Sequence, residues 1–207
     1  YLKKMAAKRL HVAEDAIQSC SLYKKSVDAR KKEEIHFICT VEVELPQEKQ
    51  IAAKCQRKDK KITLVEPYRY SLPSFRALPE RPVVVGMGPA GLFAGLILAQ
   101  AGQRPLIVER GADVDQRTGD VEAFWQTGIL QTESNVQFGE GGAGTFSDGK
   151  LHTGTKDIRC RKVLEELVKA GAPEAIRYTA HPHVGTDLLP AVVKRIRESI
   201  LSLGGEI

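Results

Sequence analysis

The sequence predicts an α/β fold in which a parallel α/β domain follows a small α+β domain. Three observations lead to this prediction: a short apolar strand that runs into the pattern GxGxxG, a helix and second strand directly after it, and an alternating apolar strand far upstream. A stretch with four prolines connects the two patterns. The expected domains are therefore residues 1–76 and residues 77–207.

The second domain opens with three valines, Val83 to Val85, which suit a parallel strand buried on both faces. They lead into a glycine motif whose members have distinct expected roles: a tight turn at Gly86, close approach of a pyrophosphate at Gly88 and close helix packing at Gly91. Pro89 and Ala90 should begin a helix that extends to about Ala101. Its first amides would then face the phosphates.

The residues after this helix complete a dinucleotide-binding pattern. Gly102 should end the helix, Leu106 to Val108 is predicted as the second strand, and Glu109 follows at the position expected for a carboxylate that binds ribose hydroxyls. Gly95 should add a second close contact between helix and strand. A parallel βαβ unit without a cofactor is the structural alternative, but the register of all these parts favours an ADP-containing cofactor.

A second glycine-rich stretch, GEGGAGTFSDGK at residues 139–150, follows about thirty residues with little helix or strand periodicity. Its glycines would let backbone amides lie against a flat ligand, and Thr145, Ser147 and Lys150 offer donors to a reduced flavin or a phosphate. A nicotinamide dehydrogenase would instead continue with βαβ repeats. FAD is therefore the expected cofactor, with a flexible surface loop as the alternative.

Four stretches resemble the bacterial uncharacterised FAD-dependent dehydrogenases, also called NAD(FAD)-utilising dehydrogenases. They are VVVGMGPAGLFAGLILAQAG with ERG, SNVQFGEGGAGTFSDGKLHTG, KAGAPEAI and HPHVGTDLLPAVVKRIRESILSLGGEI. The resemblance implies a Rossmann-like FAD-binding domain. In it, the first glycine loop holds the FAD pyrophosphate, Glu109 holds the adenosine ribose, and the second glycine stretch lies near the ribityl chain or isoalloxazine.

The expected cofactor-binding residues are Gly86, Gly88, Pro89, Ala90, Gly91, Glu109, Arg110, Gly141, Gly142, Gly144, Thr145, Ser147 and Lys150. Members of the family are much longer, so the chain is expected to be a fragment at both ends that is not active alone, with a natural short form as the alternative. A third strand should begin after Gly205.

The expected function is that of an FAD-dependent oxidoreductase, which passes hydride or electrons through the flavin with NAD(P)H as a transient co-substrate. Lys150, or an amide of residues 141–145, is the expected stabiliser of reduced flavin. The sequence identifies no catalytic acid or base, no particular small-molecule substrate and no oligomeric state. The alternatives are a noncatalytic flavin-binding module whose N-terminal domain binds nucleic acid, and an NAD-binding dehydrogenase without flavin.

The first domain has its own pattern. Residues 35–45 alternate between apolar and polar side chains, which predicts a half-buried strand that pairs with residues 20–27 as a hairpin. A helix at the start, a helix over 47–57 and a strand over 62–66 give the order α-β-β-α-β. One further strand in front would complete a ferredoxin-like arrangement.

This domain is basic, with 17 Lys and Arg against 10 acidic residues through Arg76, whereas the rest of the chain has 14 against 16. A basic module suggests nucleic acid as a partner. The strand at 35–45, however, lacks the aromatic pattern with which RNA-recognition sheets stack bases. A solvated surface is therefore expected, with an anionic partner as the alternative.

Two amphipathic helices are predicted after the second glycine stretch. One spans about 158–168 and ends before Gly171, and the other spans about 189–203, with Thr186 or Asp187 as its N-cap and Pro190 in its first turn. His181 and His183 lie between them. Because no third ligand stands at a recognisable spacing and the four cysteines form no CxxC pair, no metal site is expected.

Composition agrees with a globular cytoplasmic protein, since 42% of the residues are hydrophobic and 28% are charged. No apolar run approaches the length of about 18 residues that a transmembrane helix needs, and no secretory signal is recognisable. The sequence therefore predicts neither a membrane span nor export.

Overall fold

Two small sheets and six α-helices form the described part of the computed structural model, which comprises residues 1–72 and 78–207. The structure is mixed α/β, with one antiparallel and one parallel pair of strands. The chain divides into two compact units, Tyr1–Arg69 with Arg177–Ala180, and Tyr70–Ile176 with His181–Ile207. The expected boundary between residues 76 and 77 lies outside the described residues, as does Pro73.

The first unit contains the predicted helix, hairpin and second helix. These are α1 (Leu2–Leu10), β1 (Ser19–Asp28), β2 (His36–Glu44) and α2 (Glu48–Gln56), with a 3-10 turn at Glu14–Ala16. The two strands pair antiparallel, with a register shift between Leu22 and Lys24. On the other edge of β1, the Lys25 amide donates to the Tyr178 carbonyl over 2.7 Å, and Lys25 bridges in parallel with Thr179.

The core of this unit is small and lies at one end of the hairpin. Ala6, Ala7 and Ile17 are buried and pack against Val41 and Val43. The prediction that 35–45 is half-buried throughout is wrong, because Ile35 and Phe37 are 64% and 61% exposed. The physical reason is that the described core of this unit reaches only the end of β2 near Val41 and Val43, so the other end of the hairpin has little to pack against.

The predicted strand over 62–66 is absent from the structure described for these residues, which are irregular and join neither sheet. Leu64 and Val65 remain 44% and 55% exposed. A short apolar run becomes a strand only when a partner completes its backbone hydrogen bonds. In the described part of the first unit, the α-β-β-α-β order therefore stops after α2.

The second unit confirms the predicted strand, helix and strand around the GxGxxG motif. These are β3 (Val83–Val85), α3 (Pro89–Gln100) and β4 (Leu106–Val108), and β3 pairs with β4 in parallel. Glu206 bridges in parallel with Leu106, at the place where a third strand is predicted. The Ile107 amide donates to the Glu206 carbonyl over 2.8 Å.

The core of the second unit lies on one face of this small sheet. Helices α5 (Cys160–Lys169) and α6 (Leu189–Ser202) provide much of it, and α6 packs against α3. Among the most deeply buried side chains there are Met87, Leu96, Ile107, Val192, Ile196 and Ile200.

The prediction that β3 is buried on both faces is wrong, since Val83 and Val85 are 58% and 85% exposed. The described helices cover one face of the sheet, and alternate residues of a strand point to opposite faces. Val84 lies against the core, while its two neighbours face away from it.

Helix α4 (Val114–Thr127) lies in the stretch for which the sequence predicts little regular structure. The Asp113 carboxylate caps it by accepting hydrogen bonds from the amides of Asp115 and Gln116. The apolar periodicity is hidden because its buried positions are Val114, Arg117 and Val121, so that a charged residue occupies the middle of the buried stripe.

The N-terminal start of the helix predicted over about 189–203 differs from the prediction. The N-cap of α6 is Leu188, without a side-chain hydrogen bond, so Thr186 and Asp187 are not its caps, whereas Pro190 in the first turn is confirmed. Over residues 1–72 and 78–207, no helix combines the length and the apolar character needed to cross a membrane.

Candidate functional site

The first glycine loop, residues 86–91, turns sharply from β3 into α3. Gly86 has a φ of 90° and its amide donates to the Val108 carbonyl over 2.7 Å, which fixes the turn to the neighbouring strand. A Cβ on Gly91 would overlap the carbonyl oxygen of Gly86, and one on Gly95 would overlap the Ile107 side chain. Close packing of α3 on the sheet therefore requires glycine at both helical positions.

Gly88 stands in a different environment. Its φ of −66° and ψ of −178° are accessible to every residue type, and a Cβ there would meet no atom within 4 Å. The amides of Gly88, Ala90 and Gly91 have no hydrogen-bond acceptor among the described residues. Open space thus lies in front of a helix N-terminus with free donors, which is favourable for an anionic group.

Glu109 lies beside this loop at the end of β4. Its carboxylate accepts hydrogen bonds from the amides of Met87 and Gly111, over 2.5 and 2.9 Å. A carboxylate has about four acceptor positions, so these two bonds orient Glu109 and leave capacity for hydroxyl groups. Arg110 is exposed, pairs with Glu133 over 2.9 Å and lies 4.6 Å from the centre of the Phe138 ring.

The second glycine loop, residues 139–150, lies against the first. The Gly141 amide donates to the Met87 carbonyl over 2.8 Å. A Cβ on Gly142 would stand 3.0 Å from Pro89 Cδ and 3.3 Å from Gly88 Cα. The structure therefore brings the two glycine stretches together at the N-terminal end of α3, although 47 residues separate them in sequence.

The hydroxyl groups of Thr145 and Ser147 in the second glycine loop stand in different environments. Thr145 is buried and its hydroxyl has no partner among the described residues. The Ser147 hydroxyl donates to the Gly144 carbonyl and accepts from the Gly149 amide. Gly144, where a Cβ would meet nothing, leaves the backbone open on its side.

Lys150 is exposed and forms an ion pair with Asp148 over 2.8 Å. The hydrogen bond between them raises the pKa of Lys150 and lowers the pKa of Asp148. The positive charge expected at Lys150 is therefore already shared with a neighbouring carboxylate.

Glu140 is a buried acid that the sequence reasoning missed. Its carboxylate accepts from the Val114 amide over 2.6 Å and from Arg197 over 2.7 Å. Burial raises the pKa of Glu140, and the Val114 amide and Arg197 oppose that change. Glu140 joins the second glycine loop to the start of α4 and to α6, and its place between two glycines is the sequence signal that could have drawn attention to it.

Arg117 and Asn135 were also missed. The side chain of Asn135 holds a turn by accepting from the amides of Gln137 and Phe138 and donating to the Gln131 carbonyl. Arg117 is completely buried beneath the same segment. A charged residue at a core position of an otherwise apolar helical stripe is the pattern that marks it.

Three histidines lie at the end of the second glycine loop. The rings of His152 and His181 are 5.7 Å apart between centres, and His183 pairs through its backbone with Lys150. All three are exposed. Residues 1–72 and 78–207 contain no group of three His, Cys, Asp or Glu side chains placed to hold a metal ion.

Comparison with known proteins gives two similarities. Residues 1–44 match the family model described as Domain of unknown function (DUF8436). The chain is 50% identical, over its whole length, to an uncharacterized protein of Clostridium beijerinckii. It spans 39% of that relative's length.

Proposed function

We propose that the second unit is the start of a Rossmann-like domain that binds FAD, and that the whole protein is an FAD-dependent oxidoreductase. The observation that carries this proposal is Gly88. Neither its backbone conformation nor any neighbour within 4 Å requires glycine there, and the free amides of α3 face the same open space. A ligand phosphate that approaches the backbone closely explains both facts.

The neighbouring groups fit the two halves of such a ligand. The free amides of Gly88, Ala90 and Gly91, together with the helix dipole, would hold the pyrophosphate. Gly86 would form the turn in front of the ligand, and Pro89 would begin the helix beside it. Glu109 would accept hydrogen bonds from the adenosine ribose, since two loop amides already orient its carboxylate.

The second glycine loop favours FAD over NAD. Its packing on Gly88 and Pro89 would bring Gly141, Gly142 and Gly144 beside the extension of the pyrophosphate, where the ribityl chain and flavin ring would continue. The sequence resemblance to FAD-dependent dehydrogenases supports the same cofactor.

Bound flavin would supply the hydride or electron transfer, with NAD(P)H as a transient co-substrate. The residues of this chain would bind and orient it. Because the side chains of Ser147 and Lys150 are engaged inside their own loop, backbone amides rather than these two side chains would make the contacts there. The hydroxyl of Thr145, which has no partner among the described residues, would be the side-chain donor of this loop. Arg110 would lie at the exposed rim, held by Glu133.

A second candidate function is a noncatalytic flavin-binding module whose basic first unit binds nucleic acid. One observation favours it: Phe37 is 61% exposed and Lys25 lies 4.0 Å from its ring centre, which combines a stacking surface with a cation. Binding to single-stranded nucleic acid that weakens steeply with salt, without turnover of NAD(P)H, would favour this candidate.

The proposal is tested by Gly88→Val in the full-length protein. The valine side chain would fill the open space in front of α3, so FAD content after purification should fall below about one tenth of the wild-type value. Released FAD is quantified by absorbance and mass.

Gly119→Val is the matched control. Gly119 lies in α4, and a Cβ there also meets nothing within 4 Å, so this variant should fold and keep its FAD. A folded Gly88→Val protein with unchanged FAD content would refute the pyrophosphate assignment.

A further inference from the structure

Arg117 is a completely buried cation that binds backbone carbonyls instead of a carboxylate. Its Nε donates to the Asn135 carbonyl over 2.8 Å, its Nη2 to Val136 over 2.9 Å and its Nη1 to Glu140 over 2.6 Å, with a longer contact of 3.5 Å to Gly139. Such a planar fork of donors suits several acceptors at once. Arg117 thus fixes the path of residues 135–140.

The surroundings of the guanidinium are shaped to hold it in one place. The Phe146 ring lies 4.9 Å from it, and a Cβ on Gly139 would stand 2.7 Å from Arg117 Cδ. Burial lowers the pKa of Arg117, while the attraction of Glu109 and Glu140 acts in the opposite direction. The loop folds around the cation, and the two acids near the glycine loops partly offset the cost of burying its charge.

The segment held by Arg117 ends where the candidate site begins. Glu140, whose carbonyl receives the shortest of the four bonds, precedes Gly141, whose amide binds the Met87 carbonyl. Gly142 then lies against Gly88 and Pro89. A displacement of residues 139–140 would therefore move the second glycine loop relative to the first.

We propose that Arg117 is a positioning residue of the dinucleotide site, which holds the second glycine loop against the N-terminal end of α3 by its four carbonyl contacts. This inference rests on the proposed function and names a residue that controls the affinity of that site. Arg117 does not touch the ligand. It acts on the flavin half of FAD through the second loop, and much less on the ADP half, which would depend on the first loop and Glu109.

The test uses Arg117→Ala in the full-length protein, stripped of cofactor, with FAD and ADP as separate ligands. Loss of the guanidinium should weaken FAD binding at least about ten-fold and ADP binding by less than about three-fold. Adding millimolar guanidinium chloride should restore most of the FAD affinity, because the small cation can occupy the vacated position, whereas sodium chloride at equal concentration should not.

Arg195→Ala is the matched control. Arg195 also donates to a backbone carbonyl in this unit, that of Ala170, but at the end of α5 away from the glycine loops. Its FAD and ADP affinities should equal those of the wild type. Should Arg117→Ala not fold, Arg117→Lys keeps the charge without the planar fork and is expected to show the same selective loss of FAD affinity.

The outcomes separate this proposal from the proposed function. A wild type that binds FAD, together with folded Arg117 variants that bind it equally well, overturns the positioning role alone. Equal loss of FAD and ADP affinity without rescue by guanidinium also overturns it, because a general loss of structure then accounts for the effect. A wild type that binds neither ligand overturns both proposals.

Discussion

At the scale of single residues, the glycines of the first loop and of α3 differ in whether the surrounding protein requires a glycine at that position. Gly91 and Gly95 are required by packing inside the protein, since a Cβ at either would overlap a neighbour. Gly88 is required by nothing in the described structure. A sequence motif does not reveal this difference. It is the reason to explain the glycine at position 88 by the approach of a ligand.

Two carboxylates that contact Arg197, those of Glu140 and Asp115, have pKa values shifted in opposite directions. Arg197 contacts Glu140 over 2.7 Å and Asp115 over 3.0 Å. Burial raises the pKa of Glu140, whereas hydrogen bonds from Lys194 and Arg197 lower that of Asp115. Glu140 therefore binds its proton more tightly in the folded state than in the unfolded state, whereas Asp115 binds its proton less tightly.

Glu140→Gln therefore changes how stability depends on pH. A folded-state pKa above the ordinary 4.5 means that the contribution of Glu140 to wild-type stability falls as pH rises from 4.5 through the raised value. The glutamine variant should lack this decline. Urea unfolding between pH 4 and 7 measures it, and a difference between wild type and variant that is constant over this range would contradict the raised pKa.

The contribution of Asp115 to stability depends on pH in the opposite direction. Its folded-state pKa lies below the ordinary 3.8, so its stabilising contribution is complete above that pH and is lost as pH falls through the lowered value. Asp115→Asn should retain the decline above pH 4.5 and so serves as the control for Glu140→Gln.

At the scale of elements, local sequence patterns predicted several elements at the places where they are found. Helix α3 was predicted from the glycine motif before it, helix α6 from its apolar periodicity, and the hairpin from its alternation, although the hairpin buries apolar side chains at one end only. Helix α4 was missed because Arg117 interrupts its stripe, and the strand over 62–66 was wrongly predicted because a strand also depends on a partner that the local sequence does not reveal.

The candidate site, like the fold, was predictable in part. Register placed the first glycine loop and Glu109 together, because consecutive parallel strands end at the same edge. Contact between the loops, and the supporting roles of Glu140 and Arg117, arise from tertiary packing of distant segments. No spacing in the sequence encodes them.

The hairpin offers a test of where the core of the first unit lies. Ile17→Ala should lower the free energy of unfolding by about 2–5 kcal/mol, because Ile17 is almost completely buried. Phe37→Ala should change it by less than about 1 kcal/mol, since the ring is mainly exposed and contributes chiefly its contact with Lys25.

Urea unfolding followed by circular dichroism compares the two variants, and the fluorescence of Trp125, which is the only tryptophan in the sequence, follows the second unit. A larger loss for Phe37→Ala than for Ile17→Ala would show that the exposed end of the hairpin is covered in solution.

At the scale of the whole molecule, the two units have different features that bear on function. The second combines a parallel βαβ unit, an open glycine loop and a second glycine loop packed on it. The first is basic and exposes apolar side chains at one end of its hairpin. The proposed oxidoreductase accounts for the second unit, and an anionic partner would account for the first.

Whether the protein holds FAD can be measured from the absorbance spectrum of the full-length protein purified without added flavin, together with the mass of the released cofactor. We expect a yellow protein with flavin absorbance and a released cofactor with the mass of FAD. A folded, colourless protein that also fails to take up added FAD would show that the protein is not a flavoprotein.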